Sequence, residues 1–455
     1  MLRRLTFTNF KTWEKADIEF GQVTGLFGTN SSGKTSLIQF LLMLKQTKEA
    51  TDRALSLELN GNYVKLGSFG DVVFGHDDKL SIEWSLSFEQ VDDLVIVDPA
   101  QKRGQALIRS NSVKVDGSVT AAKGGAPQAR QLKYTVGGIS NDDLKLLISL
   151  TKKGDGFALK AEGTDFHFIR TQGRAWTVPG PVKSYAFPDQ ARTYFQNASF
   201  LSDLEAAFEN ALDNIYYLGP LRDYPQRDYL WARSRPHDVG PKGEKAIDAI
   251  LAATEDGEKR NIRRKGKLKS FQEVIAYWLS EMGLIYQFKV VEIAKGSNRW
   301  QARVKVRPGS PDALLTDVGF GVSQVLPVIT LLYYVPEGAT VVLEQPEIHL
   351  HPLAQAHLAD VIINVAERRN VQIILESHIE HLLLRLQRRI AEAEFSSEKV
   401  KLYFCKMQGD ASDVSPLKLD LFGNIENWPE NFMGDAFGET AAAEKARLRR
   451  MQAAQ

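Results

Sequence analysis

A chain of 455 residues, 43% hydrophobic and 25% charged, is too long for one ordinary core and fits a soluble globular protein of two or three units at about 150 residues each. Its 57 basic and 56 acidic side chains leave a net charge of +1, which excludes a global pull toward nucleic acid or membrane and makes any such contact local. The one cysteine, Cys405, excludes an intramolecular disulfide and any cysteine-cluster zinc or iron–sulfur site. The opening Met1-Leu2-Arg3-Arg4-Leu5 turns polar at once, and no apolar run is long enough to span a bilayer, so the expected location is cytoplasmic.

In chain order, Leu5–Phe10 and Ala16–Phe20 alternate and read as strands. The apolar run Val23–Phe27 then leads into Gly28-Thr29-Asn30-Ser31-Ser32-Gly33-Lys34-Thr35, and a helix follows from Ser36 to about Lys48. Strand, glycine-bounded loop and helix in this order satisfy the phosphate-loop pattern. Glycines at both ends let the backbone N–H groups turn inward, and the helix adds the positive end of its dipole. Gly28, Asn30, Ser31, Ser32, Gly33, Lys34, Thr35 and Ser36 are the expected nucleotide-binding set. Within it Lys34 reaches the β- and γ-phosphates of ATP, and the Thr35 hydroxyl sits on Mg²⁺.

The segment 1–54 is thus the N-terminal lobe of a nucleotide-binding core. From 55 to 188 short β-like runs such as Lys79–Leu86 and Gln131–Val136 suggest a β-rich insertion, with the small-residue stretch Asp116–Pro127 as a hairpin tip. From 189 to 283 apolar residues recur at helical spacing, in Ser202–Phe208 and Phe271–Leu279, which suggests a helical insertion or arm interrupted by a strand at Ile215–Leu218. Segment 284–410 reads as the C-terminal lobe of the core and 411–455 as a tail. Its Glu439–Arg450 is a polar helix former that docks a partner or stays loose. No internal repeat or coiled-coil heptad run stands out.

Three motifs supply a second half-site. Gly338–Leu343 is an apolar strand ending in Glu344-Gln345-Pro346-Glu347, and Glu344 is the expected carboxylate of the Mg²⁺ shell beside the phosphate loop. Val371–Leu375 delivers Glu376-Ser377-His378, where His378 senses the terminal phosphate or polarises the attacking water. Leu315–Gln324, with Gly319, Gly321 and Ser323, opens a helix whose N-terminus is an anion site without a phosphate loop of its own. It makes sense as a cap on ATP held by a second copy.

This order of motifs resembles the ATP-binding-cassette ATPases related to recombination-repair and chromosome-maintenance proteins, of the RecF–SMC-like kind, and within them the overcoming-lysogenization-defect branch of AAA-family ATPases. Leu343–Pro352, Glu376–Leu383, Tyr217–Arg222 and Phe422–Pro429 carry the resemblance. It implies an α/β cassette-type P-loop ATPase head, a mixed sheet flanked by helices, with a β-rich and a helical insertion. It also implies ATP and Mg²⁺ as ligands and a homo-oligomer built on a sandwich of two heads. Relatives of the PARIS or Septu type serve prokaryotic antiphage defence with a nuclease effector. Here the roughly 75 residues after His378 are too few for a nuclease domain of usual size. The effector is therefore expected to be separately encoded, and a phage protein is a candidate trigger.

The chain also departs from that pattern. Gln345 stands where such ATPases carry the catalytic glutamate, and an amide takes no proton from water, so slow turnover is expected. Glu347 either substitutes as base or caps the next helix. Gly319 replaces a serine that touches the γ-phosphate, leaving Ser323 or the backbone to serve. Asp71 is either a lid contact or part of an ordinary turn. The basic run Lys259–Lys269 suits nucleic-acid phosphates or a solvated face, the former belonging to an alternative function as a DNA-clamping repair ATPase. Arg222 and Arg227 suit phosphate, an interface carboxylate or a purely structural role. His349, His351, His357 and His381 lack the further ligands that a metal site needs.

Overall fold

The computed structural model describes residues 1–97, 106–137, 145–173, 176–262, 266–429 and 445–447. The strands β1 (Leu2–Phe10), β2 (Trp13–Glu19) and β3 (Val23–Gly28) lead into helix α1 (Lys34–Glu49). β1 and β2 continue into the strands of the 55–188 segment: β4 (Ile82–Val97), β5 (Ala106–Ala121), β6 (Pro127–Val136), β7 (Leu146–Lys153) and β8 (Gly156–Glu162). Together they form one antiparallel seven-stranded sheet, β2-β1-β4-β5-β6-β7-β8. The small-residue stretch at 116–127 is mostly strand. Its turn narrows to 122–126, because Val119 is buried in the sheet face and holds the chain in register with β6.

This sheet is half-buried. Ile82, Trp84, Leu86 and Phe88 point inward on β4 while Glu83, Ser85 and Ser87 between them do not, the period-two pattern of one wet face. Its inner face packs on α1 and on α2 (Leu201–Asp213), with Phe7 stacked on Phe40 at 4.4 Å and Trp84 over Phe208 at 5.9 Å. Such aromatic pairs add about 1 kcal/mol each beyond area burial.

The second sheet holds the phosphate loop. After α2 come β9 (Ile215–Leu218), α3 (Ala246–Glu255), α4 (Phe271–Glu281), β10 (Gln287–Glu292) and β11 (Arg299–Lys305). Then follow α5 (Phe320–Tyr334), β12 (Thr340–Glu344), α6 (Pro352–Arg369), β13 (Gln372–Glu376), α7 (Glu380–Ala391), β14 (Val400–Gln408) and β15 (Ala411–Leu417). The strand order is β15-β14-β3-β13-β12-β9, parallel except for β15. This is a mixed α/β fold, a sheet flanked by helices with the phosphate loop at the tip of an inner strand.

β3, β12 and β13 are buried at nearly every position, with apolar side chains through their middles, because both faces are covered. Val342, Ile374 and Leu26 face α1 and the antiparallel sheet. Val341, Leu343, Ile373 and Leu375 face the core made by α3 to α6. The stretch expected as a helical arm, 189–283, contributes the edge strand β9 and packs α3 and α4 into this core. Among the described residues no helix is long and apolar enough to cross a membrane.

Candidate nucleotide site

The phosphate loop sits where β3 ends. Gly28 has φ 138°, and a Cβ there would lie 2.0 Å from the Cys405 carbonyl oxygen on β14; at Gly33, φ 85°, it would meet Ser412 Oγ at 2.5 Å. Both positions therefore exclude a side chain, by backbone angle and by space. The Trp13 indole donates to the Gly33 carbonyl (3.1 Å), and Thr12 and Ser412 share a 2.6 Å hydrogen bond, so β2 and β15 brace the loop from outside.

Lys34 is buried and folded into the loop, donating to the carbonyls of Gly28 (3.0 Å) and Thr29 (2.6 Å). Desolvation lowers its pKa, an effect that Glu376 opposes. Thr12, Asn30, Ser31, Ser32, Gly33, Lys34, Thr35, Ser36, Gln345, Glu376 and His378 line an open cleft of about 470 Å³.

β13 lies against β3 with Glu376 opposite Leu26, so its tip stands directly beside the loop. The Thr35 hydroxyl donates to the Glu376 carboxylate, 2.9 Å from Oε2 and 3.1 Å from Oε1. His378 follows, with Nδ1 3.1 Å from the Gly28 carbonyl oxygen and Nε2 3.7 Å from Glu376 Oε1.

β12 is one strand further out, and Glu344 is the register partner of Glu376. Its carboxylate accepts from Tyr217 on β9 (2.7 Å), and it is 6% exposed. Burial pushes its pKa up to about 7, with Glu376 adding to the rise and the Tyr217 hydrogen bond opposing it. Gln345 has φ 43°, donates its N–H to the Glu376 carbonyl (2.9 Å) and faces the cleft.

Glu347 is 2% exposed and does not line the cleft. Its Oε1 accepts from the Ser377 hydroxyl (2.7 Å) and the His378 N–H (3.2 Å), and burial raises its pKa. The cap of α6 is His351, not Glu347. Arg222, also buried, donates to the carbonyls of Glu344 and Gln345 (3.3 Å each) and feels the charge of Glu347, so it fixes the turn after β12. Burial lowers its pKa to about 10.

The glycine-rich motif lies outside this cleft. Gly319 is the N-cap of α5 with open space around it, Gly321 packs against the His349 carbonyl, and the Ser323 hydroxyl donates to the Phe320 carbonyl (2.8 Å). Arg227 pairs with Asp317, two residues before Gly319 in the motif (3.1 Å), and the Tyr224 ring packs on Phe320 at 5.6 Å. Asp71 closes a capping box with Ser68 at the start of a one-turn helix. Among the described residues no cluster of three or more His, Cys, Asp or Glu stands ready for a metal: His351 is the helix cap and His357 meets Asp360 at 3.3 Å. In the basic run, Arg260 pairs with Glu258 and lies over the Phe271 ring, while 263–265 fall outside the described residues.

Two residues escaped the sequence reading. Glu376 ends an apolar strand in acid just as Glu344 does, and that rule applied twice would have found it. Tyr217 is signalled only by a polar atom inside an otherwise buried strand.

Residues 233–383 match the AAA ATPase domain family, and 396–442 match a protein-of-unknown-function family (DUF3696). No curated protein matches the chain. Similar solved structures include an Smc head bound to the C-winged helix domain of ScpA, 13% identical, covering 92% of this chain and 98% of that one at TM-score 0.43. The SMC head domain from Thermotoga maritima is 11% identical over 92% and 99% of the two chains, at TM-score 0.39. An Smc head domain with an extended coiled coil bound to the C-terminal domain of ScpA, derived from Pyrococcus furiosus, is 11% identical over 92% and 96%, at TM-score 0.43. Over 233–383 the chain is therefore similar to an AAA ATPase domain, and the phosphate loop, outside that stretch in sequence, joins it in space through the pairing of β3 with β13.

Proposed function

We propose that this chain is a slow ATPase that works as a clamp. ATP binds on Gly28–Thr35, with Lys34 on the terminal phosphates. Gly319, Gly321 and Ser323 of a second copy close over the nucleotide, so that two heads pair around two ATP molecules. The observation that carries the reading is the cleft itself, which gathers Lys34, Thr35, Glu376, His378 and Gln345 around one open volume. The residues suit Mg²⁺, because a loop hydroxyl faces a strand-end carboxylate at 2.9 Å. When bound, the ion neutralises phosphate charge; Thr35 and an acid at the strand tips, Glu344 or its neighbour, would hold it.

Slow turnover follows from Gln345. Its amide orients a water but accepts no proton, and Glu347 is buried away from the cleft lining, its Oε1 held by Ser377 and the His378 N–H. His378, tied to the Gly28 carbonyl, is left to report the terminal phosphate. In the cell, this clamp acts as the sensor and scaffold subunit of a prokaryotic antiphage defence complex that holds or releases a separately encoded effector, a nuclease. The resemblance of Leu343–Pro352 and Glu376–Leu383 to that branch supports this role.

The test is sedimentation velocity with and without ATP, together with co-purification of the product of the neighbouring gene. ATP should convert monomer to dimer in the wild type and leave Lys34→Ala monomeric. A chain that stays monomeric with ATP, and ignores its neighbour, overturns the proposal.

A further inference from the structure

Past the end of β13 the chain runs out of strand partners. The Ser377 N–H still donates to the Leu26 carbonyl (3.1 Å), but the His378 N–H finds no backbone acceptor among the described residues. It donates instead to Glu347 Oε1 (3.2 Å), the same oxygen that accepts from the Ser377 hydroxyl (2.7 Å). That hydroxyl in turn accepts from the Ile379 N–H (3.2 Å). One carboxylate oxygen thus organises residues 377–379, where the backbone would otherwise be free to swing. Pairing that N–H fixes the peptide, and with it the direction in which the His378 side chain departs. The ring is caught at its other end too, with Nδ1 3.1 Å from the Gly28 carbonyl oxygen at the start of the phosphate loop.

We infer that Glu347 is a positioning residue: it holds the 377–379 backbone so that His378 faces the terminal phosphate, and it takes no proton itself. This rests on the nucleotide-binding reading above. Glu347 does not line the cleft, and its second oxygen, Oε2, is buried without a hydrogen-bond partner among the described residues, so it does not reach a water there. Its charge is answered by Arg222, whose Nε and Nη1 are likewise buried without hydrogen-bond partners among the described residues. Keeping two ions inside the protein is costly. The return is a charged acceptor, which binds a hydroxyl and an N–H about twice as strongly as a neutral oxygen does. The acid itself is held by its turn. The Glu347 carbonyl accepts from the Leu350 N–H (3.1 Å), between two left-handed residues, Gln345 (φ 43°) and His349 (φ 63°). Side-chain-bearing residues keep such angles only where the surroundings over-determine them, so the carboxylate is presented from a stiff base.

The test reads the preference for ATP over ADP, as a ratio of dissociation constants from calorimetry in Mg²⁺. Wild type is compared with His378→Ala, Glu347→Ala and the double variant. Each single variant should lose about tenfold of the preference, and the double variant no more than either, because the two residues act as one unit. An acid with a structural role alone would weaken ATP and ADP alike and leave the ratio unmoved. Glu347→Gln keeps an acceptor in the same place and should hold both the preference and the single-turnover rate, whereas loss of a general base costs about a hundredfold or more. Should Glu347→Ala not fold, Ser377→Ala replaces it in the cycle; it removes the bridging hydroxyl without stranding a charge, and should lose part of the preference. An unchanged ratio in Glu347→Ala (or in Ser377→Ala in its place), losses that add in the double variant, or a collapse of turnover in Glu347→Gln each overturns the inference. A wild type that binds neither nucleotide, or a ratio indifferent to His378→Ala, overturns the nucleotide-binding reading beneath it.

Discussion

Glu344→Gln tests whether burial, and not metal, sets the state of the acid on β12. In the nucleotide-free, metal-free protein its pKa is pushed from 4.5 up to about 7 by desolvation at 6% exposure. A raised carboxyl pKa means that the folded state holds a proton the unfolded chain has released between these values, so stability falls as pH rises through the window. The full difference is about 3 kcal/mol at about 1.4 kcal/mol per pH unit, and about 2.5 kcal/mol of it develops between pH 5 and pH 8. Glutamine keeps the acceptor for Tyr217 and has no proton to lose. Guanidinium unfolding in EDTA, followed by tryptophan fluorescence at both pH values, should show wild type losing about 2.5 kcal/mol relative to Glu344→Gln on going to pH 8. A difference that stays constant, or grows in the opposite direction, refutes the account of a buried protonated acid.

Lys34→Ala should abolish ATP binding in calorimetry while leaving the circular dichroism spectrum intact. Gln345→Glu should raise single-turnover hydrolysis by about tenfold or more, since positioned general bases contribute at least that much; an unchanged rate contradicts the account of slow turnover. Gly28→Ala places a methyl into the Cys405 carbonyl at a backbone angle that only glycine tolerates, and should cost at least about 2 kcal/mol in denaturant unfolding and weaken ATP binding. The Cys405 thiol, buried and pushed up to about 12, should be inert to a thiol reagent at pH 8 and react fully once the chain is unfolded.

Much of the fold is legible locally. Val23–Phe27, apolar without alternation and followed by glycine, announces an inner parallel strand and its loop, and the strands at 340–344 and 372–376 announce themselves the same way. What is not legible is which strands become neighbours. The pairing of β13 with β3, and the reach of Tyr217 from β9, are properties of the sheet order, and they decide which of two similar acids meets Thr35. The same holds for Glu347, whose partners lie thirty residues away in sequence. Ile215–Leu218 reads as a strand, but its neighbouring helical spacing hides that it is the edge of the nucleotide sheet. The stretch at 116–127 does hold the hairpin turn, at 122–126, but glycine and alanine made it read wider than it is because the burial of Val119 is not visible in sequence.

The order of synthesis gives the β3 strand an unusual history. It leaves the ribosome long before both strands that flank it, β13 and β14, which are made more than three hundred residues later, as are the Cys405 carbonyl and Ser412 that wall its loop. Until then an apolar strand with two unpaired edges must wait, which makes the nascent chain dependent on protection from misassembly. The antiparallel sheet, complete by residue 162, is available long before and covers the helix that follows the loop. Translation therefore assembles a nucleotide site only in chains finished past β15, and a product truncated earlier carries the phosphate-loop sequence without the pocket.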